Sequence, residues 1–471
     1  MDEAQHNNTG PLIAKDERNG KWTLTNKIGE GGQGEVFRTD TSGYIAKLVN
    51  FQDGNKLSAW SKRIRWVMRQ DLDGLHLARP IVMLTEPKPG YIMELMDELI
   101  PLRKVLDDSY EALLESQDFG VFKATGGLQR RYQLLGKLAR ELAELHGRGI
   151  AYGDLSPDNV FISTDSNFSE VWLIDCDTLA TNGVTDNESV FTPDYGAPEL
   201  VRNESGISTL TDSWSFAVIA FQLLTFMHPL KGETVLEGDE SLEEKALRGE
   251  LPWIENPMDD SNAAAPVKRG LLSVAMTKKL TSLFQECFTD GLNAPEQRPS
   301  MMEWAEAFEQ ADLASLTCNN DVCGQSFIYN KTQQCPFCDN VISPDEFLLL
   351  KHYIYAPEFE AEDSEKKGDC WINSQSGIVL TTDKPISLKK LDPSSALYHQ
   401  SAPLCQLELT SKGLYITPEE GQEIHLQRTS DSKTAPITKR QLLKTESRSN
   451  AKFALHLEYM AQTHPAWIFN W

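Results

Sequence analysis

Asp154 and Asn159 stand five residues apart in YGDLSPDNVFI, residues 152–162, and Asp175 ends the apolar run WLID 16 residues further on. A carboxylate that can take a proton from a hydroxyl, with an amide and a second carboxylate that can ligate Mg²⁺, is what phosphoryl transfer needs. Upstream, IGEGGQGEV places Gly29, Gly31 and Gly34 between two strand-like runs, with Val36 behind them, and Lys47 follows in YIAKLV. Glycines let a backbone approach phosphates and donate N–H groups to them, although glycines in such a setting also make plain hairpin turns. A lone strand Lys is usually just solvated. The ordered set of glycine loop, Lys, Asp, Asn and Asp is far more specific than any member, and it points to a bound nucleotide.

A second constellation is Cys318-x4-Cys323-x11-Cys335-x2-Cys338, which ends in CPFC. Two pairs at this spacing match the knuckles of a structural zinc ribbon, in which four thiolates close a tetrahedral Zn²⁺ site and hold a segment too short for its own core. A closed shell leaves no position for catalysis. Cys176, Cys287, Cys370 and Cys405 are read as core or surface residues, and eight Cys in 471 residues are too sparse for a disulfide scaffold.

The elements around these residues suggest several domains, as the length does. Residues 1–20 are polar and read as a loose tail. Residues 21–100 alternate short β-type runs with one helical pattern, Lys56 to Gln70, and residues 101–315 hold long helical segments. Within the latter, Lys231 to Pro266 reads as an acidic surface insertion. Residues 316–345 form the ribbon, 346–369 an acidic linker, and 370–471 a β-rich domain for docking, with Phe453, Leu455, Leu457 and Tyr459 on its packed face. The 45 Lys and Arg against 69 Asp and Glu give a formal charge of −24, so no nucleic-acid partner is expected. The most apolar stretch, Phe216 to Met227, is well short of the ~20 residues needed to cross a bilayer. A cytoplasmic protein without membrane contact is therefore expected.

Residues 22 to 313 resemble the eukaryotic-type Ser/Thr protein kinases. The resemblance implies a bilobal protein-kinase fold over residues 21–315, and with the small zinc ribbon and the C-terminal β-rich domain read above the chain is expected to be α+β. It implies ATP bound by Ile28, Gly29, Gly31, Gly34 and Val36 of the loop and by Glu94 and Met96 of the hinge beside Met93. Lys47 would hold phosphates, Asp154 would be the catalytic base, and Asn159 and Asp175 would ligate Mg²⁺. FTPDYGAPE, residues 191–199, matches the end of an activation segment in which Thr192 contacts the catalytic Asp, and Arg298 falls where such kinases pair an arginine with Glu199. Asp212 falls where they keep a buried anchor for the catalytic loop.

Several positions depart from the pattern. Gly153 replaces the Arg that would grip a phosphorylated loop, so phosphorylation at Thr178, Thr181, Thr185 or Ser189 is not expected to be an obligatory switch. Ser156 replaces a catalytic-loop Lys, and Asp175-Cys176-Asp177 replaces Asp-Phe-Gly. Residues 51 to 85 contain no Glu to pair with Lys47, which leaves Asp53 as the expected substitute. A protein substrate with a Ser or Thr acceptor is expected; the alternatives are an aminoglycoside- or choline-type small-molecule kinase and a pseudokinase scaffold. Together with the ribbon, GEGGQGEV and GDLSPDN resemble bacterial kinases of tellurite and stress-response systems, whose partners are von Willebrand A-type proteins and PP2C-type phosphatases. The tail faintly resembles a forkhead-associated domain, in which Arg428 would grip a phosphate.

Overall fold

The computed structural model describes residues 12–31, 34–116, 120–182, 191–265, 270–357, 370–382, 384–389, 402–430 and 433–471. They form two compact units: Met1–Gln117, Gln133–Ser273 and Lys278–Ala305 make the first, and Asp118–Tyr132, Val274–Thr277 and Glu306–Trp471 the second.

The first unit opens with six strands, β1 (Leu12–Asp16), β2 (Lys21–Gly31), β3 (Gly34–Thr39), β4 (Tyr44–Val49), β5 (Pro80–Glu86) and β6 (Gly90–Glu94). They close into a barrel in the order β1-β2-β3-β4-β6-β5. The expected loose tail of residues 1–20 is thus corrected in its second half, since Leu12–Asp16 is a strand and β1 pairs with both β2 and β5; residues 1–11 lie outside the described residues. Asp16 explains the tight turn that follows. Its buried carboxylate accepts the backbone N–H groups of Arg18 and Gly20 and the Trp22 indole N–H, which folds β1 back onto β2. Alternation along β4 then divides its side chains. Ala46 and Leu48 join Ala14, Leu24, Val82, Leu84 and Ile92 in one core. Ile45 and Val49 join the opposite core, built with Trp60 and Ile64 of helix α1 (Gly54–Val67), and Lys47 lies on that same face.

In the helical part of this unit, helix Thr209–Thr225 buries nearly every residue, as a central helix apolar on all sides must. Its Trp214, Phe216 and Phe221 meet Trp253, Phe284, Phe288 and Trp304 in an aromatic cluster. Residues 231 to 265 are therefore not a surface insertion, because Val235, Ala246, Trp253 and Ile254 are core residues within them. Acidic residues between these apolar anchors dominate the sequence pattern there.

In the second unit, strands Ser315–Thr317 and Ser326–Ile328 pair beside the cysteines. Two sheets follow. Six strands lie in the order Trp371–Thr381, Phe347–Tyr355, His464–Asn470, Lys452–His456, Ile424–Arg428 and Lys433–Ile437; four lie in the order Ile386–Lys389, Pro403–Thr410, Gly413–Pro418 and Gln441–Lys444. Leu348, Leu350 and Leu380 of the first sheet share a core with Leu388, Leu407 and Ile416 of the second. The expected linker 346–369 is corrected in its first half: FLLLKHYIY, residues 347–355, is an inner strand with partners on both sides. The acidic run proper, 358–369, lies outside the described residues. The single packed face expected of residues 453–459 is also corrected, since Ala454 and His456 are buried as fully as Leu455 and Leu457, while Tyr459 is exposed.

Candidate active site

Asp212, wholly buried in helix Thr209–Thr225, holds the catalytic-loop backbone. Its two oxygens accept the N–H groups of Tyr152 (2.6 Å) and Gly153 (2.8 Å), and His146 Nε2 lies 2.9 Å away. The Tyr152 hydroxyl donates to the Ile174 carbonyl, which ties this loop to the strand leading into Asp175. Gly153 adopts φ +95°, and a Cβ there would lie 2.8 Å from the Thr178 carbonyl oxygen, so the loop geometry itself excludes an Arg at this position. The next side chain, Asp154, is set by Thr192, whose N–H and hydroxyl both donate to Oδ1 at 2.8 Å. Asn159 Nδ2 donates to the Asp154 carbonyl at 2.8 Å, which leaves the Asn159 amide oxygen for a cation. Burial raises the Asp154 pKa above the ordinary aspartate value, against the opposing hydrogen bonds from Thr192. Ser156, at the position of the missing Lys, has a buried hydroxyl without a partner among the described residues.

Lys47 is 6% exposed, and its Nζ lies 2.7 Å from Asp175 Oδ1 and 2.8 Å from Asp177 Oδ2. Burial alone would lower its pKa, but the two carboxylates reverse the effect and raise it. Asp53, expected as its partner, instead caps α1: its side chain accepts the Asn55 N–H. That is the ordinary use of an aspartate before a helix. Asp177 is the partner that the sequence reading missed, and the substitution of Asp for the usual Gly in Asp175-Cys176-Asp177 was its one signal. Asp175 itself takes a left-handed conformation, φ +58°.

The glycine loop is the β2–β3 hairpin, with Gly29 opposite Val36 and Gly31 opposite Gly34. At Gly34 a Cβ would lie 2.1 Å from the Leu48 carbonyl oxygen, so strand packing alone requires glycine there. Ile28 is exposed, Met93 is buried where β6 meets the α1 core, and Glu94 and Met96 follow it, exposed and half-buried. Arg298 donates to Glu199 Oε1 at 2.7 Å and Oε2 at 2.8 Å, both side chains buried, and its guanidinium lies over the Trp214 ring. Thr178 is not a free acceptor for phosphate, because it is buried and its hydroxyl donates to the Tyr152 carbonyl; Thr181 is exposed, while Thr185 and Ser189 lie outside the described residues.

Residues 22–307 match the protein kinase domain family. The chain belongs to the protein kinase family. It is 27% identical over 194 residues to serine/threonine-protein kinase dkf-2 of Caenorhabditis briggsae, a match covering 40% of this chain and 15% of that one. It is 30% identical over 140 residues to a putative protein kinase C delta type homolog of Drosophila melanogaster (30% and 20% covered), and 34% over 106 to myosin light chain kinase A of Dictyostelium discoideum (22% and 36%). The chain thus spans 15 to 36% of the length of these relatives, which are all eukaryotic. Among the described residues of this kinase, no helix is long and apolar enough to cross a membrane.

Beyond the match, the kinase brings four of its eight cysteines together. The sulfurs of Cys318, Cys323, Cys335 and Cys338 all lie within 4.8 Å of one another, with Cys318–Cys338 at 3.6 Å and Cys323–Cys335 at 3.8 Å. Zn–S bonds of about 2.3 Å place the sulfurs of a tetrahedral site about 3.8 Å apart, so this donor set fits Zn²⁺. Cys176, Cys287, Cys370 and Cys405 are buried singly, as core residues. Arg428 of the tail lies exposed at the end of its strand, opposite Lys433.

Proposed function

We propose that this protein kinase transfers the γ-phosphoryl group of ATP to a Ser or Thr hydroxyl of a protein substrate. The observation that carries the reading is Asp154, fixed through Oδ1 by the N–H and hydroxyl of Thr192 from the segment that ends in the Glu199–Arg298 pair. Among the described residues its Oδ2 has only a long contact, 3.4 Å, with Asn159 Nδ2 and is the oxygen left to take the acceptor's proton. Lys47 would hold the α- and β-phosphates. Asp175 and the Asn159 amide oxygen would hold Mg²⁺, which when bound neutralises charge on the transferring group. Ile28, Gly29, Gly31, Gly34 and Val36 would cover the nucleotide, with Glu94 and Met96 at adenine.

The cysteine cluster is proposed as a structural Zn²⁺ site, and metal analysis of the purified protein should find one zinc per chain. The two-sheet tail would serve docking. The likeness to bacterial stress-response kinases makes a von Willebrand A-type protein and a PP2C-type phosphatase the first partners to test, and a cytoplasmic setting suits them.

Mass spectrometry after incubation with Mg-ATP tests the reading. Phosphate is expected on Ser or Thr of the wild type, abolished in Asp154→Ala and Asp175→Ala and strongly reduced in Lys47→Ala, since these groups act as a unit. Full activity in Asp175→Ala would overturn it. Phosphate on an aminoglycoside or choline-like compound and on no protein would establish a small-molecule kinase, and nucleotide binding without transfer a scaffold.

A further inference from the structure

Helix α1 contributes no carboxylate to Lys47, because residues 51–85 contain no Glu and Asp53 caps the helix. What α1 contributes is a donor. The Trp60 indole N–H donates to Asp177 Oδ2 at 3.0 Å, the oxygen that Lys47 Nζ also reaches at 2.8 Å. The Tyr91 hydroxyl donates to Asp177 Oδ1 at 2.9 Å, and Arg63 donates to the Asp177 carbonyl at 3.1 Å. Both carboxylate oxygens are therefore occupied by donors from α1, β4 and β6. The two partners of Lys47 also differ in freedom: the Asp177 side chain is 2% exposed and that of Asp175 is 30% exposed. A buried carboxylate held by three donors stays in place, whereas Asp175 keeps an open side toward a cation.

We propose that Asp177 is the positioning residue that holds Lys47 for the nucleotide phosphates, replacing the carboxylate that α1 lacks, with Trp60 and Tyr91 holding Asp177 in turn. This rests on the reading of Lys47 as the phosphate contact. The hydrogen bond between helix and strand is thereby reversed: a carboxylate on the metal-binding turn accepts from the helix and from the lysine together. Were Asp175 to hold Mg²⁺, Lys47 would keep an anionic partner in Asp177. A shift of α1 would remove the Trp60 and Arg63 donors from Asp177 and leave the Lys47–Asp177 pair intact.

The test uses the full chain, with Mg-ATP turnover and Mg-ADP affinity measured for wild type, Asp154→Ala, Asp177→Asn, Asp177→Gly and the double variant Asp177→Gly/Trp60→Glu. Asp177→Asn keeps shape and removes charge; it is expected to lower kcat/KM for ATP by roughly 30-fold or more and to weaken ADP binding. The double variant returns a carboxylate from α1, and it is expected to recover about tenfold over Asp177→Gly. A merely structural role for Asp177 would give no such recovery. Activity of Asp177→Asn within threefold of wild type, or a double variant no better than Asp177→Gly, overturns the proposal. Should Asp177→Asn fail to fold, Trp60→Phe decides: it removes one donor to the same oxygen, a roughly three- to tenfold loss is expected, and unchanged turnover overturns the proposal. Loss in Asp154→Ala beside full activity in Asp177→Asn refutes this inference alone, whereas equal rates in wild type and Asp154→Ala refute the transfer reading and this inference with it.

Discussion

At Asp154, two opposing influences set the proton affinity of the proposed base. Burial raises its pKa and the two hydrogen bonds from Thr192 lower it, with burial prevailing. Such a base works only when ionised, so activity is lost as pH falls through the raised value. The acid limb of kcat/KM should accordingly lie above the ordinary aspartate value of 3.8. Thr192→Val removes one of the two donors and should move that limb further upward, which a pH–rate profile would record; an unmoved limb would show that another group titrates. Gly153 allows a second residue-scale test. With φ +95° and the Thr178 carbonyl 2.8 Å from any Cβ, Gly153→Arg should destabilise the chain by about 1–3 kcal/mol in denaturant unfolding, and should not act as a gain of loop control. Lys47, Asp154, Asn159 and Asp175 could be singled out in the sequence because the chemistry proposed for them fixes residue type and order. Asp177 could not: its role exists only where four elements converge, and sequence spacing carries no record of that.

Among the elements, the span Phe191–Glu199 depends on one buried ion pair. Arg298 has no exposed side-chain surface, and it binds both Glu199 oxygens, the Gly291 carbonyl at 2.9 Å and the Leu210 carbonyl at 3.0 Å. Removing one partner of such a pair leaves an uncompensated buried charge, so Arg298→Ala should cost about 3–5 kcal/mol. Chemical denaturation would show it, and a loss below about 1 kcal/mol would mean that Glu199 finds water or another cation. This pair was legible from FTPDYGAPE and QRPSMMEW. Strand β1 was not, because Leu12–Asp16, only five residues long, is too short to show a period until β2 and β5 flank it. FLLLKHYIY escapes the pattern for the opposite reason: its start is covered on both faces, with Leu348 and Leu350 in one core and Phe347 and Leu349 in another, so it lacks the alternation that identifies a half-buried strand.

On the scale of the whole molecule, the second unit carries an acid sensitivity that the first unit's ion pairs do not predict. His352, His456 and His464 are each at most 3% exposed in its six-stranded sheet. His456 Nδ1 lies 2.8 Å from His464 Nε2, so a proton on both would set two cations against each other, and His352 Nε2 has no partner among the described residues. Burial pushes His352 down to about 4 and His456 down to about 3, and it lowers His464 as well. The sign follows from proton uptake. Below about 6.5 the unfolded chain protonates these rings and the folded sheet does not, so stability is complete above that value and declines as pH falls toward 4. Each histidine contributes at most about 1.4 kcal/mol per pH unit to the decline. Hydrogen exchange read by mass spectrometry at pH 7 and pH 5, corrected for intrinsic rates, should show strands Phe347–Tyr355, Lys452–His456 and His464–Asn470 losing opening free energy together. His456→Gln, which keeps a polar group of similar reach without the titration, should reduce the loss. Equal protection at the two pH values would mean that the rings take up protons within the folded sheet, and the histidine pair would then have to separate to admit them.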